Sequence, residues 1–406
     1  SPDGHAGGPG GAEHTQDHQG GVLMSTFITG ANGFLGSYVA SILLEETDER
    51  LAVFIRAADE SAAQDKLWKG LQLHMSPGRF WEHMDRIDFV FGDLHAPNLG
   101  IDPDTYARLT REVDSVLHIA ASLNRKSAKA CLNTNLRGTL SVIKLAQAIH
   151  QKRKRKGGLR RYSHVSTVAV AGKRDSEVVF EESAIEWDRS DYDPYARTKK
   201  FCEHMARELL PDVQKTFFRP SIVMGDSRFA ETSQFDMVRA FCTLTDLPLV
   251  PFDPSARLDI VNADWVGRAV ATLHMADSPR HDIYHLSSGT ASRTIGEVAR
   301  AVASATNKRP RFVAGLEKPF DALVNSMAGW RARNVATYIA SLLKVFLPYI
   351  TYDTVFDNRR AVDEIGVEPV PFVDYCADLY RFSKRVDFEY PHVPLPPRSE
   401  SKVRAA

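Results

Sequence analysis

Apolar and polar residues follow one another in blocks along the chain. Short β-prone runs over 24–29, 51–55 and 115–117 end at glycine or polar residues, as buried strands do. The segment after the first run carries apolar residues at helical spacing, which are Phe34, Leu35, Val39, Ile42 and Leu43. Strands and helices therefore succeed one another, and this order predicts an α/β fold.

The turn between the first strand and the first helix is rich in glycine, with the sequence Thr29-Gly30-Ala31-Asn32-Gly33-Phe34-Leu35-Gly36. Gly30 permits a tight turn, Gly33 lets the backbone approach a pyrophosphate, and Gly36 lets the helix pack closely on the strand. Unpaired N–H groups at the helix N-terminus favour an anion. We expect this turn, apart from Ala31, to contact a dinucleotide. A plain glycine turn is the alternative.

A second motif, Tyr195-Ala196-Arg197-Thr198-Lys199, places a phenol and an ammonium group on one helix face, because residues i and i+4 are neighbours there. Reduction of a carbonyl builds negative charge on oxygen and needs a proton donor in position. We expect Tyr195 to be that donor, with Lys199 lowering its pKa from the usual value of about 10 toward neutrality. A solvated helix face is the alternative interpretation.

The glycine spacing resembles that of extended short-chain dehydrogenases/reductases, and further landmarks of that superfamily follow in order. They are Gly92-Asp93-Leu94, His118-Ile119-Ala120-Ala121, Asn135-Leu136-Arg137-Gly138-Thr139, Val165-Ser166-Thr167 and Arg219-Pro220. The resemblance implies a Rossmann-type doubly wound parallel sheet with a smaller, mainly helical C-terminal substrate domain. It also implies that Thr167 holds the substrate oxygen, with Ser166 as the competitor. The implied dinucleotide contacts in these landmarks are Asp93, Leu94, Ala120, Ala121, Asn135, Tyr195, Lys199 and Pro220.

The second strand should end near the adenosine ribose, about 20 residues beyond the glycine turn. An NAD-preferring site places an acidic residue there, whereas this chain has Arg56. Because a cation suits the 2′-phosphate, we expect NADPH rather than NADH as the cofactor. Asp59 is close enough in sequence to leave NADH as the alternative cofactor. The alternative for Arg56 is an ordinary solvated surface charge.

Within the superfamily, the stretch Gly92-Asp93-Leu94-His95-Ala96-Pro97-Asn98-Leu99-Gly100 resembles the thioester reductase and fatty acyl-CoA reductase branch. The resemblance implies NADPH-dependent reduction of an acyl thioester to an aldehyde, with further reduction to the alcohol left open. We expect the acyl group to arrive on CoA or on a separate acyl-carrier protein. Two alternatives remain. One is an extended dehydrogenase or epimerase acting on a hydroxysteroid, a 3-hydroxyacyl group or a sugar nucleotide, and the other is a non-catalytic dinucleotide sensor.

Composition narrows the class of protein. With 51 basic and 51 acidic residues among 406, the chain has no formal net charge, which argues against a nucleic-acid binder. One dense basic run, 152–156, is interpreted as a solvated helix end, with contact to an acidic carrier protein or anionic lipid as the alternative. We expect no metal site and a cytoplasmic protein with reduced thiols, because the cysteines are scattered at Cys131, Cys202, Cys242 and Cys376.

Four regions are predicted along the chain. Residues 1–23 are a glycine-rich flexible leader, 24–225 the NAD(P)-binding domain, 226–395 a substrate-binding lid region interleaved with late Rossmann strands, and 396–406 a tail. No apolar stretch reaches the ~20 residues of a spanning helix. The nearest candidate, 335–350, contains a lysine and a proline, and we expect a buried or substrate-facing helix there. Peripheral membrane contact is the alternative.

Overall fold

The computed structural model describes residues 25–125, 127–306, 310–330, 334–351 and 353–398, so the predicted leader over 1–23 lies outside the described residues. Its centre is a sheet of seven strands, each parallel to its neighbours. In chain order the strands are β1 Ser25–Thr29, β2 Arg50–Ile55, β3 Ile87–Phe91, β4 Ser115–His118, β5 Arg161–Val165, β6 Lys215–Pro220 and β7 Ile283–Leu286. Their spatial order, β3-β2-β1-β4-β5-β6-β7, confirms the predicted doubly wound α/β fold.

Helices cover both faces of this sheet, and others pack outside it. In chain order they are α1 Phe34–Glu46, α2 Glu60–Leu71, α3 Pro77–His83, α4 Pro103–Glu112, α5 Gly138–Lys152, α6 Pro194–Leu209, α7 Asp236–Asp246, α8 Ala263–Met275, α9 Ile295–Thr306, α10 Glu317–Ala328, α11 Val335–Thr351, α12 Arg359–Ile365 and α13 Cys376–Arg385. Helices α1 and α8 pack together in one core with Ile28 and Leu117 of the strands. Helices α4, α5 and α6 form the opposite core with Phe27 and Val116, because side chains alternate along a strand.

A third core lies outside the sheet, in the C-terminal half of the chain. Helices α7, α9, α11 and α13 bury Val238, Val302, Leu343 and Leu379 in it. Between α7 and α9 the chain returns to the sheet through α8 and β7. The helix expected over 335–350 is α11, and within the described ranges no helix is long and apolar enough to cross a membrane. The domain boundary between residues 225 and 226 stays a prediction.

The end of the described chain runs back over the first half of the molecule. The indole N–H of Trp68 donates to the carbonyl of Val393 over 2.9 Å, and that of Trp81 donates to the carbonyl of Pro396 over 2.9 Å. Pro396 is the first residue of the predicted tail, and residues beyond 398 lie outside the described ranges. The beginning of that segment is therefore anchored to α2 and α3.

The strand order reverses between β1 and β4. Strand β1 pairs with β2 on one side and with β4 on the other, so the connections that leave their carboxyl ends diverge. In doubly wound sheets this divergence opens a crevice that binds ligands. Thr29 and His118, the last residues of β1 and β4, mark the position of the crevice in this chain.

A buried ion pair fixes α6 to the sheet. Arg219 on β6 contacts Glu203 on α6 through Nη2–Oε2 at 2.6 Å and Nε–Oε1 at 2.9 Å, and both side chains are almost completely buried. Arg219 also donates to the carbonyl of Glu181 over 3.1 Å. Since neither charge reaches water, each side chain depends on the other for its solvation.

We expect Glu203→Ala to lower the free energy of unfolding by about 3–5 kcal/mol, because it leaves the Arg219 guanidinium buried without its counter-ion. Glu208 on the same helix is exposed and serves as the matched control. Glu208→Ala should change that free energy by less than about 0.5 kcal/mol. Urea unfolding monitored by circular dichroism measures the free energy of unfolding of both variants. An equal loss in the two variants would show that the buried ion pair contributes no more to stability than an exposed glutamate.

Candidate active site

The glycine turn brings α1 into backbone contact with β1. Gly30 has a φ of +79°, and a Cβ there would lie 2.7 Å from the backbone nitrogen of Ala120. A Cβ on Gly36 would lie 1.9 Å from the Gly30 carbonyl oxygen. The N–H of Gly33 donates to the same carbonyl over 2.9 Å. Side chains at Gly30 and Gly36 are therefore excluded by the close approach of the backbone.

Helix α1 begins at this turn with its first N–H groups uncapped by any described side chain. Gly33 is the N-cap residue, and the first turn of the helix contains no acidic residue. Such a terminus carries unpaired donors and the positive end of the helix dipole. These features fit the negative charge of a dinucleotide pyrophosphate.

A cavity of about 370 Å³ extends from the glycine turn to α6. It brings together most of the predicted site residues, which are Gly30, Asn32, Gly33, Phe34, Leu35, Gly36, Ala120, Ala121, Thr167, Tyr195, Lys199 and Pro220. The other predicted residues are not among the described residues that line it, and these are Thr29, Arg56, Asp93, Leu94 and Asn135. Two sequence motifs far apart in the chain thus meet in one space.

Thr29 holds the ends of β1 and β4 together behind the cavity. Its Oγ1 lies 2.7 Å from Nδ1 of His118 and accepts a hydrogen bond from the N–H of Ala120 over 3.2 Å. The other ring nitrogen of His118 lies 2.9 Å from Oγ1 of Thr139 at the start of α5. The geometry therefore gives Thr29 the role of holding the loop that carries Ala120 against the glycine turn.

Asn135 braces the loop after β4 against α6. It lies in a π-helical segment, Cys131–Arg137, that leads into α5. Its side chain accepts a hydrogen bond from the N–H of Ser122 over 2.7 Å and donates to Oγ1 of Thr198 over 3.2 Å. The Leu94 side chain lies against Gly138 at the start of α5. Both residues support the cavity from outside its wall.

Arg56 and Asp93 face each other beyond the ends of β2 and β3. Arg56 Nη1 lies 3.5 Å from Asp93 Oδ2, and 76% of the Arg56 side chain is exposed. Lys66 donates to the carbonyl of Arg56, which brings a second cation to this corner. Asp59, the residue that kept NADH open, caps α2 by accepting the N–H of Ala62 over 2.9 Å. Its carboxylate is therefore engaged in the helix cap.

Helix α6 carries the predicted proton-transfer pair. Asp193 caps the helix by accepting the N–H of Ala196 over 2.8 Å. One turn separates Tyr195 and Lys199, and both side chains line the cavity. The Lys199 ammonium donates to the carbonyl of Val165, at the end of β5, over 2.6 Å. The spacing thus produces the shared helix face that the sequence predicts.

Thr167 and its competitor Ser166 both line the cavity. The Thr167 hydroxyl accepts the N–H of Ala169 over 3.2 Å and lies 3.5 Å from the carbonyl of Pro220, which is long for an O–H donor. The hydroxyl of Ser166 is buried and has no hydrogen-bond partner among the described residues. Thr167 can therefore turn its hydrogen toward a substrate oxygen at little cost.

Residues 28–270 match the family model described as male sterility protein. The chain belongs to the male sterility protein family. It is accordingly an NAD(P)-dependent oxidoreductase of the extended short-chain dehydrogenase/reductase type, and the resemblance seen in the motifs is confirmed.

Individual relatives of this reductase are large proteins that match over only part of their length. A linear gramicidin synthase protein of Brevibacillus parabrevis is 29% identical over 271 residues, which cover 65% of this chain and 5% of that protein. The L-2-aminoadipate reductase large subunit of Candida glabrata is 24% identical over 274 residues, which cover 61% of this chain and 19% of that protein. This chain therefore spans well under a third of the length of these relatives.

Solved structures share the fold over most of this reductase. The terminal R domain from the myxalamid PKS-NRPS biosynthetic pathway has a TM-score of 0.75 and 23% identity, covering 91% of this chain and 92% of that one. A thiolation-reductase di-domain from an archaeal non-ribosomal peptide synthetase has a TM-score of 0.68 and 14% identity, covering 90% and 76%. UDP-glucuronic acid 4-epimerase from Bacillus cereus has a TM-score of 0.59 and 16% identity, covering 89% and 100%.

Burial controls the charges of the predicted proton-transfer pair. It raises the pKa of Tyr195 to about 12, with the Arg125 guanidinium as the main opposing influence. It also lowers the pKa of Lys199 to about 8. The prediction that Lys199 lowers the Tyr195 pKa toward neutrality is therefore wrong for this structure, because burial outweighs the charges that oppose it. Tyr195 keeps its proton at neutral pH.

Arg125 is a cavity residue that the sequence analysis missed. Its guanidinium carbon lies 4.9 Å from the ring centre of Tyr195 and 5.3 Å from that of Tyr349 on α11. Arg125 Nε lies 3.2 Å from Oδ2 of Asp193, and the hydroxyl of Tyr349 donates to the same oxygen over 3.0 Å. Arg125 thus links the start of α6 to α11. A single arginine in a loop gives no periodic signal that could have revealed it.

Asp259 is a second cavity residue outside the predicted set. It accepts the N–H groups of Ser288 over 2.9 Å and Phe356 over 3.3 Å. Burial raises its pKa to about 6. These bonds join the chain after β7 to the chain after α11, so Asp259 holds two distant segments together at the cavity wall.

The basic run over 152–156 lies away from this site. It precedes the first residue of β5, and parallel strands begin at the edge of the sheet opposite to the one where the site forms. Arg153 is buried and donates to the carbonyl of Arg111 over 2.9 Å. Part of the run is therefore structural, and none of its residues is among the described residues that line the cavity.

Cysteines are not among the described residues that line the cavity. The cysteines at 131, 202, 242 and 376 are all buried and unbridged. Within the part of the chain that the structure describes, no group of three or more His, Cys, Asp or Glu side chains is placed to hold a metal ion.

We expect kcat/KM for carbonyl reduction to fall as pH rises through about 8, because Lys199 loses its charge there while Tyr195 stays protonated up to about 12. Lys199→Arg keeps a cation that does not titrate in this range, so its profile should be flat through pH 8 even if its rate is lower. Initial rates between pH 6 and pH 10 test both profiles. An unchanged decline in Lys199→Arg would contradict the assignment.

Proposed function

We propose that this chain reduces an acyl thioester to an aldehyde with NADPH and can carry the aldehyde on to the alcohol. The observation that carries the proposal is the single cavity whose wall contains the glycine turn together with Thr167, Tyr195 and Lys199. A dinucleotide cradle and a proton donor in one cavity support hydride chemistry on a carbonyl group. The relatives, a gramicidin synthase and an aminoadipate reductase, support a thioester as the source of that carbonyl.

The residues present fit the cofactor. The glycine turn and the open N-terminus of α1 would hold the pyrophosphate, and Arg56 with Lys66 nearby would face the 2′-phosphate. Tyr195 and Lys199 lie at the other end of the same cavity. When bound, the nicotinamide supplies the hydride that the reaction needs.

The proposed chemistry uses side chains of this chain for each proton and charge. As the carbonyl carbon gains a hydrogen, its oxygen becomes negative, and the Thr167 hydroxyl donates a hydrogen bond to it. Tyr195 transfers its phenolic proton to that oxygen, which gives a hemithioacetal. Cleavage of the carbon–sulfur bond then yields the aldehyde, and the hydroxyl proton leaves with the sulfur as a free thiol. A proton from solvent restores Tyr195.

The acyl carrier in this proposal is CoA or a separate carrier protein. The archaeal thiolation-reductase di-domain supports the second source, because it joins a thiolation domain to a reductase of the same fold. A carrier would approach the cavity from the carboxyl ends of the strands, on the side away from the basic run over 152–156. The buried, unbridged cysteines are consistent with a reducing compartment such as the cytoplasm.

The test follows NADPH absorbance with a panel of acyl-CoA substrates while a thiol reagent reports free CoA. We expect NADPH oxidation to be accompanied by thiol release. One NADPH oxidised per thiol released indicates the aldehyde as product, and two indicate the alcohol. Tyr195→Phe is the control, and it should abolish both signals while leaving NADPH binding near normal, because only the proton is lost. Oxidation of secondary alcohols by NADP⁺ without thiol release would instead favour a dehydrogenase or epimerase.

The cofactor preference is tested at the end of β2. We expect Arg56→Ala to weaken NADPH binding by about tenfold or more and to leave NADH binding nearly unchanged, because only NADPH offers a 2′-phosphate to the guanidinium. Arg111→Ala removes an exposed arginine of α4 and serves as the control. Fluorescence titration of each variant with the two dinucleotides measures the ratio. If Arg56→Ala leaves the ratio of NADPH affinity to NADH affinity unchanged, Arg56 does not bind the 2′-phosphate.

A further inference from the structure

Residues 391–398, the proline segment, cross α2 and α3 near the end of the described chain. Every residue from Val393 to Pro397 is a proline or directly precedes one. Proline fixes its own φ and disfavours helical backbone in the residue before it, so this stretch favours the extended polyproline II conformation. The structure accordingly has no helix or strand over 391–397.

Two tryptophans donate hydrogen bonds to carbonyl groups of this segment. Polyproline II backbone has no internal hydrogen bonds, so its carbonyls need donors from elsewhere. Three residues make one turn, which places the carbonyls of Val393 and Pro396 on the same side, about 9 Å apart. The indole N–H of Trp68 on α2 donates to the first and that of Trp81 on α3 to the second, each over 2.9 Å. One turn of polyproline II therefore matches the spacing of the two indoles.

Gln72, which follows the last residue of α2, makes further contacts with the main chain of the segment. Its side-chain oxygen accepts the N–H of Val393 over 2.8 Å, and its amide donates to the Val393 carbonyl over 3.4 Å. Val393 itself is 59% exposed, so these bonds recognise the backbone rather than the side chain. Trp68, Gln72 and Trp81 together form the α2–α3 groove.

The α2–α3 groove is held in shape by the packing of its own aromatic rings. The Trp68 ring lies edge-on to Phe80 with ring centres 5.4 Å apart, and the Phe80 and Trp81 ring centres are 5.6 Å apart. Trp68 and Phe80 also belong to the core that α1 forms with the sheet. The positions of the two indoles are therefore set by the core and do not depend on the proline segment.

The proline segment is held less firmly than the groove. Residues 391–394 are exposed, and Leu395 is only partly buried against the core that contains α1. Asp387 and Phe388, which lead into the segment, have φ values of +48° and +58°, a left-handed backbone that is unfavourable for residues other than glycine. Because few contacts are buried and the approach is strained, this segment should open before the rest of the fold does.

We propose that the α2–α3 groove is a binding site for proline-rich peptides in the polyproline II conformation, and that the proline segment is a releasable ligand that occupies it within the chain. Polyproline II peptides suit such a role because their backbone is ordered before they bind. A proline-rich peptide from another chain has to displace the proline segment. Binding of the one is therefore observed as release of the other.

Hydrogen exchange of the Val393 amide measures this release, because its N–H donates to Gln72 only while the segment is bound. In the full chain labelled with ¹⁵N-valine, we expect Val393 to exchange faster than Val116, which is buried in β4. Trp81→Phe keeps an aromatic ring but removes one donor, and should speed the exchange of Val393 about fivefold. Trp187→Phe removes an exposed indole from the loop before α6 and should leave that exchange unchanged.

A synthetic peptide with the sequence of residues 390–398 tests the recognition directly. The peptide captures the open groove, so the exchange rate of Val393 in the labelled chain should rise in proportion to peptide concentration above the Kd of the peptide. A control peptide carries Pro394→Ala, Pro396→Ala and Pro397→Ala. It has the same length without the preformed backbone, and should bind about tenfold more weakly or less.

Three results would overturn the inference. Val393 could exchange as slowly as Val116 and not respond to the peptide, which would make the segment a fixed part of the fold. The two peptides could accelerate exchange equally, which would exclude recognition of polyproline II. Trp81→Phe, if folded by circular dichroism, could behave as Trp187→Phe does. The peptide measurement uses the unchanged chain and needs no turnover, so it is decisive even if Trp81→Phe does not fold or the proposed reduction fails.

Discussion

The contact between Gly36 and the Gly30 carbonyl is the constraint on which the site depends. A Cβ at Gly36 would lie 1.9 Å from that oxygen, so only bare backbone allows α1 to start directly at the end of β1. This start places the open end of the helix at the crevice where the strand order reverses. The start of α1 thus forms one fixed edge of the cavity. Other parts of the wall come from the loop after β4, the ends of β5 and β6, and one face of α6.

Burial determines the protonation of Tyr195 and Lys199, which line the cavity on α6. It favours the uncharged forms of both Tyr195 and Lys199, whose pKa values are about 12 and about 8. A phenol that keeps its proton suits a donor, and the nearby Arg125 guanidinium favours the phenolate once the proton has left. In the proposed reaction, the positive charge near Tyr195 would come from two cations on different elements, Lys199 on α6 and Arg125 in the loop after β4.

Local features of this site could be predicted from the sequence, and features that depend on packing could not. The order of strand, glycine turn and helix and the i, i+4 spacing of Tyr195 and Lys199 involve only near neighbours in the chain, and both are present in the structure. Arg125 depends on Asp193 and Tyr349, which lie far away in sequence and come together only through α11. The pKa of Lys199 likewise follows from burial, which the motif does not encode.

The Asp193 carboxylate makes three separate interactions at the start of α6. Its carboxylate caps α6 through the N–H of Ala196, pairs with Arg125 and accepts the hydroxyl of Tyr349. A longer glutamate would overreach the cap, and an amide would lose the charge. Few other side chains could make all three of these interactions. We therefore expect position 193 to vary less among related sequences than the positions beside it. A related chain that lacks Asp193 should have α11 packed differently.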